Sequence, residues 1–85
     1  MDDKTGLFDV SVVKQKLISS TLEEVCDALK ERGYNPINQI VGYLISGDPG
    51  YISNYKDSIE KIMDFDRAEV VAIILEEYLD KQWDV

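Results

Sequence analysis

The stretch from Gly33 to Ile52, GYNPINQIVGYLISGDPGYI, constrains this chain more tightly than any other. It holds two helix stops and two helix starts. Gly33 and Gly47 stand where a helix ends and the backbone turns left-handed, a conformation glycine reaches without a Cβ penalty. Asn35-Pro36 and Asp48-Pro49 each pair a capping side chain with a proline at the first helical position. The spacing predicts short helices joined by defined turns, and no group in it is arranged for chemistry.

The flanking segments read the same way. Ser11 can cap a first turn through Val12, Val13, Leu17 and Ile18. Ser20 and Glu23 have the capping-box spacing, in which each side chain satisfies the other residue's free N–H. Leu22, Val25, Cys26 and Leu29 follow at i, i+3, i+4, i+7. The spacing supports a firm helix from about Ser20 to Gly33, and leaves open a start at Ser11.

A second helix is expected over Pro36–Ser46. Ile37, Ile40, Val41, Leu44 and Ile45 cover so wide a face, with almost no charge, that the helix is expected to be central and covered on two sides. After a short turn at Pro49–Ile52, a third helix is expected from Asn54 to Met63, with Tyr55, Ile59, Ile62 and Met63 on one side. Asp66 and Glu69 repeat the capping-box spacing and open a last helix to about Gln82. Its apolar residues form two adjoining stripes, more than one small layer covers. No segment alternates as a strand does. The expected fold is all-α: a compact bundle of four to five short helices over residues 11–85, preceded by a flexible acidic tail at 1–10.

Eighty-five residues make one small domain, and a chain of this size buries only roughly 60–65% of its unfolded surface. One cysteine and no histidine remove disulfides and common metal cages, which leaves oligomerisation as the source of further burial. A homodimer is expected. Its candidate face is the wide stripe of the last helix, at Val71, Ile74, Leu75 and Tyr78. The net charge of −8 repels phosphate backbones and anionic lipid. The opening MDDKTGLFDVS carries no apolar run, and no stretch approaches the roughly 20 apolar residues of a membrane span. The cysteine usage favours the cytoplasm.

Catalysis finds no support in the residues. Without histidine there is no Ser-His or Cys-His pair. The adjacent carboxylates Glu23/Glu24 and Glu76/Glu77 point about 100° apart on a helix and share no proton. Cys26 lies within an apolar stripe and reads as a small hydrophobe. Gly47-Asp48-Pro49-Gly50 is no phosphate cradle, because Pro49 removes a donor and Asp48 adds negative charge. The helices around Gly33–Asn35 can be drawn as a helix-turn-helix, but Pro36–Ser46 carries no basic residue and only Asn38 and Gln39 for base edges. No cofactor or metal is expected.

Asn35-Pro36-Ile37-Asn38-Gln39-Ile40-Val41-Gly42-Tyr43, followed by Ser46-Gly47-Asp48-Pro49, resembles the signature of the IreB family, small regulatory phosphoproteins of Gram-positive bacteria. The likeness runs in register from about Leu17 to Leu79, through Tyr51-Ile52, Lys56-Asp57, Arg67, Glu69 and Tyr78-Leu79. The resemblance implies a cytoplasmic, all-helical, dimer-forming protein without enzymatic activity. It implies phosphorylation by a transmembrane Ser/Thr kinase that senses the cell envelope, reversal by a matching phosphatase, and an unidentified downstream protein partner. The family phosphosite lies in a Thr-x-x-Phe context, which Thr5-Gly6-Leu7-Phe8 matches, so Thr5 inherits that role. A second tail threonine is missing here. Relatives tend to place basic residues where this chain has Ile59, Met63 and Asp64, which leaves Lys56, Lys61 and Arg67 as the nearest cations for a phosphate. Two rivals stand beside the phosphorylation switch: a constitutive helical adaptor and a helix-turn-helix DNA-binding regulator.

Overall fold

Residues 11–83 are described by the structure, a computed structural model, and among them every regular element is helical. Four α-helices run in order: α1 (Val12–Glu31), α2 (Pro36–Ser46), α3 (Ser58–Ile62) and α4 (Arg67–Trp83). Two 3₁₀ turns, Pro49–Tyr51 and Tyr55–Asp57, lie between α2 and α3.

The first helix begins at Ser11 and passes through Ser20 without interruption. The Ser11 hydroxyl accepts the Lys14 N–H at 3.2 Å, while Ser20 is an exposed mid-helix residue and caps nothing. Of the two starts the spacing left open, the structure takes Ser11, which corrects the cap expected at Ser20. Serine and threonine favour caps because they compete for local backbone groups. Here tertiary packing overrides that preference, since Ile18, 0% exposed, joins Val70 and Ile73 of α4 in a core cluster.

At its other end α1 closes on Gly33 at φ 84°. The Tyr34 N–H reaches the Leu29 carbonyl and the Gly33 N–H the Lys30 carbonyl, both at 2.9 Å, the paired bonds of a Schellman stop. Asn35 opens α2, its Oδ1 accepting from the N–H groups of Ile37 (2.9 Å) and Asn38 (3.3 Å). Gly47, φ 78°, ends it. Asp48 accepts from the Gly50 N–H at 2.8 Å, and the element it opens is only the three-residue turn Pro49–Tyr51.

Beneath these turns lies a second core cluster of Val25, Leu29, Ile40, Tyr43, Ile52 and Ile62. Leu22 and Leu44 pack against both clusters and join them into one interior. Lys14 pairs with Glu69 at 3.0 Å and Ser19 donates to Glu77, so α1 and α4 run in the same direction where they cross.

Two further expectations are corrected. Covered on one face only, α2 buries Ile40 and Tyr43 but leaves Ile37 at 71% and Ile45 at 79% exposure. A chain this short supplies no second layer. The expected helix over Asn54–Met63 is broken. Lys56 (φ 55°) and Asp57 (φ 61°) are both left-handed, and α3 starts only at Ser58. Ile62 is buried as its spacing demands, whereas Met63 is half exposed.

Candidate interaction surface

Large apolar side chains remain exposed over much of α2 and α4. On α4, Val70 and Ile73 turn inward and are almost fully buried. One position further round, Val71, Ile74, Leu75, Tyr78 and Leu79 keep 40–57% of their surface. That is the wide stripe of the sequence, split by the fold into an inner and an outer half. The outer half contains all four residues of the candidate dimer face.

Beside it runs a groove of about 260 Å³ with a wholly apolar lining. Leu22 and Cys26 of α1, Ile37, Val41 and Leu44 of α2, and Ile74 of α4 contribute to it. Burial pushes the Cys26 thiol above its ordinary pKa, which keeps it protonated and less nucleophilic. Ile74 belongs to both the groove and the outer face, so the two form one continuous apolar surface.

The Gly33–Ile52 connector borders this surface. Ser46 ties off α2 by donating to the Gly42 carbonyl at 2.7 Å and accepting the Asp48 N–H at 2.9 Å. Arg67, at the start of α4, donates to the Leu44 carbonyl at 3.1 Å. A cation is favourable at the negative end of a helix, so this contact joins the C-terminus of α2 to the N-terminus of α4. Gly47 makes room for it: a Cβ there would lie 2.8 Å from Arg67 Cζ. Gly42 similarly admits the Tyr51 ring, whose Cδ1 would sit 2.6 Å from an added Cβ. At α4, the Asp66 N–H bonds the Glu69 carboxylate at 3.4 Å and Val70 N–H reaches the Asp66 carbonyl at 3.1 Å.

The three cations singled out for a phosphate are each engaged within the body. Lys56 lies 2.7 Å from Glu31, Lys61 lies 3.2 Å from Glu24, and Arg67 holds the Leu44 carbonyl. Hydrogen bonds from Lys56 and then Tyr55 hold the Glu31 carboxyl below the usual carboxylate range, and the same Glu31 holds Lys56 above the usual ammonium range. Thr5 lies outside the described residues.

Several contacts have no signature in the sequence. Arg67 on Leu44, Gln39 accepting the Ser53 N–H at 2.8 Å, and Glu31 on Lys56 all span 14 or more residues. Periodicity reports faces, and says nothing of such pairings. The glycine at 47 was the available signal for a close approach, though it named no partner.

Among the described residues no group of three or more His, Cys, Asp or Glu side chains is placed to hold a metal, and no helix is long and apolar enough to cross a membrane. Glu77 accepts the Ser19 hydroxyl of α1.

A family model for the IreB regulatory phosphoprotein matches residues 3–80, almost the whole chain. The chain belongs to the IreB family. That match takes in the Thr5–Phe8 segment, the Gly33–Ile52 connector and most of α4, so the helical surface described above is that of an IreB regulatory phosphoprotein.

Proposed function

We propose that this protein is a non-enzymatic cytoplasmic switch in cell-envelope stress signalling. A transmembrane Ser/Thr kinase phosphorylates Thr5 and a matching phosphatase reverses it. The body acts by binding, as a homodimer joined through Val71, Ile74, Leu75 and Tyr78, on a downstream protein. The observation that carries this reading is the family match over residues 3–80, which spans Thr5 in its Thr-x-x-Phe context.

Physical arguments agree with it. Phosphorylation adds about −1.5 to −2 charges to a chain already at −8, so the modified segment is repelled by acidic surfaces and drawn to basic ones. A regulator that works by contact needs exposed apolar area, and the outer face of α4 supplies it. DNA reading is disfavoured by the exposed side of α2, where Ile37, Val41 and Ile45 outnumber the single exposed amide, Asn38, and no cation is present.

The test is fragment mass spectrometry after incubation with the host's membrane Ser/Thr kinase. The expected result is one phosphate on Thr5, absent from Thr5→Ala. Phosphate on Ser11 or the helical body alone would refute the assignment and leave a constitutive adaptor as the better reading.

A further inference from the structure

Lys56 (φ 55°, ψ 36°) and Asp57 (φ 61°, ψ 31°) are consecutive, left-handed and not glycine. In that conformation each Cβ crowds the following carbonyl, so such residues ordinarily occur singly. The local sequence favours something else. Tyr55, Ile59, Ile62 and Met63 have the spacing of one unbroken helix from Asn54 to Met63.

The end of α1 reaches the break from outside the segment. Glu31 Oε1 lies 2.7 Å from Lys56 Nζ, and Glu31 Oε2 accepts the Tyr55 hydroxyl at 3.1 Å. The Arg32 guanidinium sits 5.1 Å and the Lys56 ammonium 5.5 Å from the centre of the Tyr55 ring. Four side chains therefore converge on the joint, three of them charged.

Hydrogen bonding nearly balances between the broken and unbroken forms. At present Asn54 Oδ1 takes the Ile59 N–H at 3.1 Å, and the Asn54 carbonyl takes the Asp57 N–H at 3.0 Å. In an unbroken helix the N–H groups of Ser58 to Lys61 would reach the carbonyls of Asn54 to Asp57. The buried Ser58 hydroxyl, which donates to the Tyr55 carbonyl at 2.7 Å, keeps that acceptor three residues back in either form. What separates the forms is strain on one side and the grip of Glu31 on the other.

We propose that Lys56–Asp57 is a two-state joint: the Glu31 cluster holds it broken, and loss of that grip closes Asn54–Met63 into a single helix. Ser53 and Asn54, between buried Ile52 and the joint, absorb the change while Ile62 stays in the core. The Lys56 and Glu31 side chains are 55% and 52% exposed, so salt weakens the grip, and a cation offered by a binding partner competes for Glu31. The joint then converts occupancy of the end of α1 into a new orientation of Tyr55 and Lys56.

Asp57→Gly reports the state of the joint by the sign of its effect, because Asp57 takes no part in the grip. At a left-handed position glycine relieves strain and raises the thermal midpoint, by roughly 4 °C; inside a helix it lowers it by a similar amount. The expected result is a rise in the otherwise unaltered protein and a fall in a Glu31→Lys background. Backbone NMR of Glu31→Lys at Lys56 and Asp57 should move from left-handed to right-handed helical shifts. A fall in the unaltered protein, or left-handed shifts that persist in Glu31→Lys, overturns the proposal.

Discussion

Gly33 and Gly47 adopt nearly the same backbone conformation, at φ 84° and 78°, yet their surroundings differ. A Cβ at Gly33 meets nothing within 4 Å, whereas one at Gly47 meets the Arg67 guanidinium. Gly33→Ala should therefore cost only the left-handed penalty, about 1–2 kcal/mol. Gly47→Ala should cost about 1 kcal/mol more, since Arg67 must leave the Leu44 carbonyl to make room. Urea denaturation of both variants, repeated in an Arg67→Ala background, checks this: the excess at Gly47 should vanish when Arg67 is gone. At this scale the sequence was informative about the stops themselves. Glycine and proline act through their own backbone, and asparagine through N–H groups two and three residues on, so Gly33, Asn35, Pro36 and Gly47 could be placed without a distant partner. Arg67 could not, because its acceptor is a carbonyl 23 residues earlier.

Among the elements, the start of α1 shows how a strong local signal is overruled. Ser20 and Glu23 have ideal capping spacing, yet the chain is already helical for eight residues before Ser20. The deciding contact is long-range, Ile18 sealed against Val70 and Ile73. Ser11→Ala should destabilise the protein by about 1 kcal/mol through loss of the cap. Ser20→Ala should be neutral or slightly stabilising, because alanine is the better mid-helix residue. Thermal unfolding by circular dichroism separates the two. Residues 54–63 fail in the opposite direction: periodicity predicts one helix, and the chain is interrupted at left-handed Lys56–Asp57, where Glu31 contacts Lys56. In both places the sequence specified which residues face inward better than where each helix begins.

For the whole molecule, all-α architecture follows from the stop and start signals, and the two-cluster core follows from the apolar stripes. What sequence could not divide was the wide stripe of α4, because periodicity does not say how many neighbours a helix has. The fold covers Val70 and Ile73 and leaves Leu75 at 54% exposure. Leu75→Asp therefore separates folding from association. It should leave the helical fold intact while converting the proposed dimer to a monomer, losing only the concentration-dependent stability that association supplies. Light scattering together with urea denaturation measures both quantities. A Leu75→Asp protein that keeps the dimer mass would remove this face from the interface.

The unbroken start of α1 at Ser11 has one more consequence, which concerns reach. Six peptide units separate Thr5, the proposed phosphosite, from Ser11, so the Thr5 Cα stays within about 22 Å of the helix start in any arrangement of the intervening chain. A phosphate on Thr5, as proposed, would by that limit stand near the body at an effective concentration in the millimolar range. A reader that grips both the phosphothreonine and the adjoining helices can therefore use two weak contacts where separate molecules would need one strong one.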